Sequence, residues 1–195
     1  MRHGETALNA SSRFQGRSDA PLSERGRRQA QALAIALRDE PLTHVFASDL
    51  IRAAETARTI AEPHGLTVTT DARLREFDFG LWEGLTWPEI LERFPQLAER
   101  PPTQAQNYAP PGGERFDEVE ARVQAFLTDV RALPKDSRIL IVTHAGPLHA
   151  AFAALAPLGM ESQRISFANA SITRVAVSGA RPLAITLSDV SHLER

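Results

Sequence analysis

The sequence predicts an α/β fold, a three-layer α/β/α sandwich with a mostly parallel central sheet. Short apolar segments rich in β-branched residues alternate with longer segments in which apolar residues recur at helical spacing. This alternation is typical of parallel strands joined by crossover helices. Residues 138–143 (RILIVT) form an apolar, β-branched run, as expected for a strand that is covered on both faces of the sheet.

Four other segments have the composition or the alternation of strands. Residues 43–48 (THVFAS) form a short apolar run, and residues 66–70 (LTVTT) alternate in polarity. Near the carboxyl end, residues 171–177 (SITRVAV) and 183–190 (LAITLSDV) are predicted to form two final strands. A Ser-Gly turn at 178–179 would join them.

Two helices are predicted around the first strand. Residues 21–40 form a helix that Ser23 can cap, with Leu33 and Leu37 on one face. Residues 49–65 form a second helix, which ends near the proline and glycine of its final EPHG.

Two further helices flank the strand at 138–143. Residues 146–156 (GPLHAAFAALA) follow it, and residues 115–133 precede it with a stripe of apolar side chains at helical spacing. This stripe should pack on the sheet. Its members are Phe116, Val119, Val123, Phe126 and Val130.

The region 81–115 differs from the rest because aromatic residues stand among prolines and glycines. It is interpreted as an excursion that leaves the sheet, returns to it and covers a site as a lid. We therefore expect residues 1–195 to form a single domain with a lid-like excursion at about 81–115. The aromatic residues are Trp82, Trp87, Phe94 and Tyr108.

Composition excludes several classes of function. The net charge of −2 does not indicate binding to nucleic acid or to membrane surfaces. The absence of cysteine excludes disulfides and thiolate nucleophiles, and no acidic cluster has metal-ligand spacing. No apolar run has transmembrane length and no leader sequence is recognised, so a cytoplasmic location is expected. Lys135 is the only lysine, and arginines can clamp phosphate in a bidentate way that lysine cannot match.

Three strand-to-helix junctions carry residues that are suited to binding a phosphate group. They are residues 2–9 (RHGETALN), 47–57 (ASDLIRAAETA) and 142–150 (VTHAGPLHA). In an open α/β sheet, ligands gather where strands end and helices begin. The amides of Ala145 and Gly146 are expected to be free at a helix N-terminus, which favours anions.

Two arginines and two histidines would meet at this edge. Arg2 and Arg52, together with His3 and His144, make a compact and strongly positive pocket. The ligand that fits such a pocket best is a phosphate dianion.

Four motifs, in the order RHGET, SDLIRAAETA, LREFDFGLWEG and VTHAGP, resemble those of the histidine phosphatase superfamily, also called the phosphoglycerate mutase-like family. The resemblance extends from Arg2 to SDVSHL at residues 188–193. It implies a phosphoglycerate mutase-like fold and an enzyme whose Arg-His-Gly histidine becomes phosphorylated.

By this resemblance, His3 is the nucleophile, Arg2 and Arg52 bind the phosphoryl oxygens, and His144 donates to the phosphoryl group. Glu76 matches the proton donor to the leaving oxygen. The chemistry is consistent, because a neutral imidazole is a competent nucleophile and an alkoxide leaves only when it receives a proton.

Some assignments are less direct. Asp78 lies two residues after Glu76 and is the alternative acid, although the motif favours Glu76. Arg13 is a candidate to reach the substrate. Further phosphate- or substrate-binding positions are Asn9, Gln15, Gly16 and Ala145.

Members of this family place the Arg-His pair at the end of a first, central strand. Here only Met1 precedes Arg2. We therefore expect that strand to be missing from the chain and the amino terminus to be disordered or rearranged. A misassigned start codon is the hypothesis that would explain the difference.

The leading hypothesis is a metal-independent, acid-type phosphatase that hydrolyses small phosphomonoesters through a phosphohistidine at His3. The alternatives are a phosphoglycerate mutase and a catalytically impaired phosphate-binding module. No cofactor is expected. The expected partner is a small phosphorylated metabolite, with no nucleic acid and no membrane, and the oligomeric state stays open, a homodimer included.

Overall fold

A parallel three-stranded sheet forms the centre of the computed structural model. Its strands are β1 (His44–Ala47), β2 (Val68–Thr70) and β3 (Ile139–Val142), in the order β2-β1-β3. These are the strands predicted from their apolar, β-branched composition. The structure describes four segments of the chain, residues 1–97, 109–155, 165–178 and 181–193.

Residues 1–3 extend this sheet next to β3. The amide of His3 donates to the carbonyl of Thr143 across 3.0 Å, and the amide of Thr143 donates to the carbonyl of Met1 across 3.0 Å. Arg2 forms a parallel bridge with Thr143, and on its other side its amide donates to the carbonyl of Ser171. The expected loss of the first strand is therefore not confirmed, because three residues suffice to occupy its place and satisfy the neighbouring backbone groups.

Helices α1 (Ala7–Ala10) and α2 (Glu24–Ala36) lie between the first residues of the chain and β1, and α3 (Ile51–Ala61) follows β1. Thr6 caps α1 in a capping box, and the hydroxyl of Ser23 caps α2 as predicted. These caps position the turns on which several site residues lie.

The end of α3 also lies where the sequence predicts it. The helix passes into a 3-10 turn at Glu62–His64, and Gly65 follows with φ of 64°. This left-handed conformation is one that glycine adopts without steric cost.

Helices α4 (Trp87–Arg93), α5 (Phe116–Arg131) and α6 (Ala145–Leu155) complete the helical part. In α5 the predicted stripe faces the core, although Phe116 and Val130 at its ends are only half-buried. The buried residues of α5 are Val119, Val123, Phe126 and Leu127.

Helices cover both faces of the sheet, which gives the predicted three layers. Val45 and Leu140 pack into a core with residues of α2 and α3. Phe46 and Ile141, their neighbours along the strands, pack into a second core with residues of α5 and α6. Because successive strand residues point to opposite faces, this alternation requires a helical layer on each side.

The excursion forms an apolar cluster of its own. The 3-10 turn Gly80–Trp82 and α4 supply Trp82 and Ile90, and Phe14 packs against them. Residues 98–108, with Tyr108 among them, lie outside the described residues.

The last two strands, β4 (Ile172–Ser178) and β5 (Arg181–Asp189), pair in an antiparallel hairpin as predicted. Gly179 of the predicted turn lies outside the described residues. Within the described segments, no helix combines the length and the apolar character that crossing a membrane requires.

Candidate active site

A cavity of about 220 Å³ opens at the carboxyl edge of the parallel sheet. The segments that follow β1, β3 and residues 1–3 meet here, since parallel strands end at the same edge. His144 does not line the cavity but lies directly behind His3. The predicted site residues that line it are Arg2, His3, Asn9, Gln15, Gly16, Arg52, Glu76 and Ala145.

The imidazole of His3 is 2 % exposed, and its Nδ1 lies 2.6 Å from the carbonyl oxygen of Gly4. A carbonyl oxygen only accepts, so Nδ1 carries the proton and Nε2 keeps its lone pair. Burial, and then the charges of Arg52 and Arg2, hold the pKa of His3 well below its usual value. The ring is neutral at physiological pH, and Nε2 is available as a nucleophile.

The backbone around His3 is tightly held. The amide of Gly4 donates to Oγ1 of Thr56 across 3.1 Å, and Nδ2 of Asn169 donates to the carbonyl of His3 across 3.2 Å. A Cβ at Gly4 would lie 2.6 Å from the carbonyl oxygen of Gly26. The close approach of these two backbones explains why glycine follows the nucleophile.

His144 lies against His3, with ring centroids 4.9 Å apart. Nε of Arg52 donates to its Nδ1 across 3.2 Å, which leaves the proton of the neutral ring on Nε2. Burial, then His3 and Arg52, hold the pKa of His144 well below its usual value. Its Nε2 is buried and has no hydrogen-bond partner among the described residues.

Arg52 is fully buried at the start of α3. Its Nη2 donates to the carbonyl of Gly16 across 2.7 Å, and its Nη1 donates to the carbonyl of Ser18 across 2.9 Å. Burial lowers its pKa to about 10, so the side chain remains a cation at neutral pH. The carboxylate of Glu83 accepts from the amides of Arg17 and Ser18 and thereby shapes the loop that holds Arg52.

Arg2 supplies the second cation. Its Nη1 donates to the carbonyl of Phe167 across 2.7 Å, and its Nε is buried without a partner among the described residues. Burial lowers the pKa of Arg2, while the carboxylate of Glu76 opposes that shift. Arg2 thus brings a charge and an unused N–H group to the cavity.

Gln15 and Asn9 are both fixed through their oxygens. Oε1 of Gln15 accepts from Oγ1 of Thr6, and Nε2 of Gln15 is buried with no partner in the described part of the chain. Oδ1 of Asn9 accepts from the amide of Thr6 and from Nδ2 of Asn169. Each side chain therefore has its amide nitrogen left to bind a ligand.

Glu76 occupies the amino end of α6. Its Oε1 accepts from the amide of Gly146 across 2.9 Å, and its Oε2 accepts from the amide of Ala145 across 3.1 Å. The expectation that these two amides are free is therefore wrong, because a side chain of the chain itself binds them. Ala145 still lines the cavity, but with its amide engaged.

Asp78, the alternative acid, lies outside the cavity lining. Its Oδ2 is 3.2 Å from Nη1 of Arg17, and its Oδ1 accepts from the amide of Gly80. Both contacts shape the turn after Glu76. Of the two carboxylates, only Glu76 lines the cavity.

Part of the cavity lining is aromatic. Phe14 and Phe79 line it, with ring centroids 4.9 Å apart. Arg13 lines it too, but its Nη1 donates to the carbonyl of Gly84 across 2.6 Å and pairs with Glu89 at 2.7 Å. The Arg13 guanidinium is therefore committed to the excursion in this structure.

Sequence reasoning assigned no role to three supporting residues. Asn169 and Glu83 hold the loops of His3 and Arg52, and Arg122 holds the segment of Glu76. Glu83 stands in the third motif, whereas no motif marks Asn169 or Arg122. Each acts on backbone groups that only the folded chain brings near. Within the described segments, no group of three or more His, Asp or Glu side chains could hold a metal ion.

The sequence profile of the histidine phosphatase superfamily (branch 1) matches residues 1–190. The chain belongs to this superfamily. The resemblance drawn from the four motifs is thereby confirmed, as is the phosphoglycerate mutase-like fold.

Individual relatives are similar over nearly their whole length. The "Probable phosphoglycerate mutase GpmB" of Salmonella choleraesuis (strain SC-B67) is 36 % identical over 200 residues, which cover 100 % of this chain and 93 % of that protein. The structure of a mycobacterial glucosyl-3-phosphoglycerate phosphatase with VO3 is 35 % identical, covers 96 % of each chain and superposes with a TM-score of 0.85. The α-ribazole phosphatase of Shigella flexneri is 27 % identical, with 97 % and 94 % of the chains covered and a TM-score of 0.88.

Proposed function

We propose that this protein is a phosphatase that hydrolyses small phosphomonoesters through a phosphohistidine at His3. One observation carries the proposal. Three buried N–H groups of the predicted site have no partner among the described residues, and they belong to Arg2, Gln15 and His144. Unpaired buried donors are costly, and a phosphoryl group would satisfy them together with the two guanidinium charges.

In the first step, the lone pair on Nε2 of His3 attacks phosphorus, and the bond from phosphorus to the ester oxygen breaks. Arg2, Arg52 and the Nε2–H of His144 stabilise the charge on the phosphoryl oxygens. The departing alkoxide takes a proton from the carboxyl group of Glu76, which lines the cavity. The products are the free alcohol, phosphorylated His3 and the Glu76 carboxylate.

In the second step, water attacks the phosphohistidine. The Glu76 carboxylate accepts a proton from the water as the new oxygen–phosphorus bond forms and the bond from phosphorus to Nε2 breaks. Inorganic phosphate leaves, and His3 and Glu76 return to their first states. The sequence needs one water and no further reactant.

The aromatic part of the cavity lining supports a substrate whose alcohol part is apolar or aromatic. Phe14 and Phe79 offer ring faces and edges on which such a group packs. We expect Phe79→Ala to raise KM for naphthyl phosphate and to leave KM for glycerol phosphate nearly unchanged. Phe94→Ala is the control, since Phe94 packs on the same apolar cluster without lining the cavity.

A phosphoglycerate mutase is the second candidate, because the Salmonella relative carries that name. Phosphoglycerate has a carboxylate that needs a cation of its own. Of the three arginines that line the cavity in the described residues, Arg2 and Arg52 serve the phosphoryl group and Arg13 is paired with Glu89. This supports hydrolysis of other esters over the mutase reaction. Interconversion of 3- and 2-phosphoglycerate that requires 2,3-bisphosphoglycerate would favour the mutase.

The experiment measures phosphate release from p-nitrophenyl phosphate at mildly acidic pH with a metal chelator present. Wild type should turn over, and His3→Ala should not. The control His44→Ala changes a histidine at the amino end of β1, the edge opposite the cavity, and should retain activity. Binding of vanadate without turnover would instead indicate the impaired phosphate-binding module.

A further inference from the structure

Arg122 on α5 does not line the cavity, yet all five of its N–H groups are engaged. Its Nη1 donates to the carbonyls of Arg73 and Arg75 across 2.7 and 2.6 Å, and its Nη2 donates to the carbonyl of Glu76 across 3.1 Å. The other two N–H groups donate to Glu114, Nε to Oε1 across 2.8 Å and Nη2 to Oε2 across 3.0 Å. A guanidinium has five donors, so none remains for a ligand.

The pair of Arg122 and Glu114 is well shielded from solvent. Their side chains are 15 % and 11 % exposed, whereas most other ion pairs in the described part of the chain have at least one more exposed partner. Nη2 of Arg17 lies 3.4 Å from the same carboxylate. Glu114 therefore connects the loop that holds Arg52, through Arg17, to the segment that carries Glu76.

Glu76 is held from two sides. Arg122 fixes the carbonyl of Glu76 and two carbonyls before it, and the amides of Ala145 and Gly146 fix its carboxylate. We propose that Arg122, supported by Glu114, is a positioning residue for proton transfer by Glu76. This inference rests on the proposed phosphatase function, in which Glu76 protonates the leaving oxygen.

The fork shape of the guanidinium makes the proposal testable. Lysine has three donors on one nitrogen and cannot reach three carbonyls and a carboxylate together. Arg122→Lys should keep the positive charge but no longer hold the Glu76 segment in position. Glu114→Gln is the milder second variant, and Arg73→Lys is the matched control. Arg73 lies on the same segment but pairs with Asp71 and Asp129 at the surface.

The first readout compares leaving groups. An alkoxide needs the proton of Glu76, and p-nitrophenolate leaves with little help. Arg122→Lys should lower kcat/KM for an alkyl phosphate by about tenfold or more and for p-nitrophenyl phosphate by less than about threefold. Glu76→Gln should likewise lose more kcat/KM for the alkyl phosphate than for p-nitrophenyl phosphate. Arg73→Lys should keep kcat/KM for both esters. An equal loss for both esters in Arg122→Lys and Glu114→Gln would overturn the proposal.

The second readout does not depend on activity. The Glu76 carboxylate protects the amides of Ala145 and Gly146 from hydrogen exchange. Arg122→Lys should speed the exchange of these two amides by about tenfold, while amides in the core of β3 stay protected. Unchanged exchange at Ala145 and Gly146 would overturn the positioning role. An inactive wild type with the expected exchange result would instead refute the proposed function alone.

Discussion

Nε of Arg52 donates a hydrogen bond to Nδ1 of His144 across 3.2 Å, inside a fully buried part of the molecule. An arginine cannot accept a hydrogen bond, so this contact determines the tautomer of the histidine. The proton lies on Nε2, which has no partner in the described residues. Through this contact, a buried cation fixes His144 as a neutral Nε2–H donor.

This contact, together with the contact of His3 Nδ1 with the carbonyl of Gly4, predicts the protonation of both histidines. His144 should be neutral at pH 6.0 with its proton on Nε2, and His3 should be neutral with its proton on Nδ1, because burial and the arginines lower both pKa values. Long-range 1H–15N NMR of the imidazole nitrogens distinguishes the two tautomers. A midpoint near 6.5 for either ring, or the opposite tautomers, would contradict the prediction.

The lowered pKa values also predict how stability depends on pH. In the unfolded chain, His3 and His144 titrate near the usual value of 6.5, while in the folded protein they stay neutral to lower pH. Below pH 6.5 the unfolded state therefore binds protons that the folded state does not. The free energy of unfolding should fall with decreasing pH, with a slope approaching about 1.4 kcal/mol per pH unit for each such proton.

Denaturant unfolding at pH 7.0, 6.0 and 5.0 measures this slope. His3→Gln removes one of these protons, so its stability should depend less on pH than that of wild type. A free energy of unfolding that stays constant or rises between pH 7 and pH 5 would show that the histidines are not held neutral by the fold.

Gly16 is predicted to be essential for the placement of Arg52. Its φ is +54°, and a Cβ there would clash with Oε1 of Glu83, whose carboxylate shapes the loop that accepts from Arg52. Gly16→Ala should lower the free energy of unfolding by about 1–2 kcal/mol, because alanine is disfavoured in the left-handed conformation. It should also lower kcat/KM by about tenfold as the loop shifts.

The control is Gly65→Ala, where φ is +64° and no atom of the described residues lies within 4 Å of the added Cβ. It should show a similar loss of stability with unchanged kcat/KM. Equal kcat/KM values for Gly16→Ala and wild type would mean that this loop does not position Arg52 for catalysis.

Glu89→Gln is predicted to change substrate selection. Glu89 pairs with Arg13, which lines the cavity. Hydrogen bonds from the backbone of Thr86 and from Arg13 lower the pKa of Glu89 to about 2. Glutamine preserves the capping box of α4 but removes the negative charge that pairs with the Arg13 guanidinium. Hydrolysis of 3-phosphoglycerate should therefore rise severalfold in kcat/KM relative to naphthyl phosphate. An unchanged ratio of the two kcat/KM values would show that the Arg13 charge does not exclude carboxylates.

Much of the fold could be predicted from local patterns. The apolar run before His144 predicts a buried strand, and the helical spacing of Val119, Val123 and Phe126 predicts the face of α5 that packs on the sheet. The strand-to-helix junctions bring the motif residues together because parallel strands end at one edge. These inferences use periodicity and topology, which a sequence carries directly.

The remaining features depend on contacts between distant segments. Ala145 and Gly146 are 69 and 70 residues from the carboxylate that takes their amides, so the competition between Glu76 and a phosphate for this helix end is invisible in the sequence. Arg122 stands at the edge of the apolar stripe of α5, three residues after Val119 and four before Phe126, and the backbone carbonyls that it binds come from a distant segment. The place of the first strand is filled by residues 1–3, which no propensity argument foresees for so short a segment.

The measurement that tests the central claim most directly is a chemical trap of the phosphoenzyme. The protein is mixed with p-nitrophenyl phosphate, quenched in alkali within a turnover, and digested for mass spectrometry. The account predicts a phosphoryl group on His3, stable in alkali and lost in acid, and none in His3→Ala. A phosphoryl group on another residue, or full turnover by His3→Ala, would contradict it.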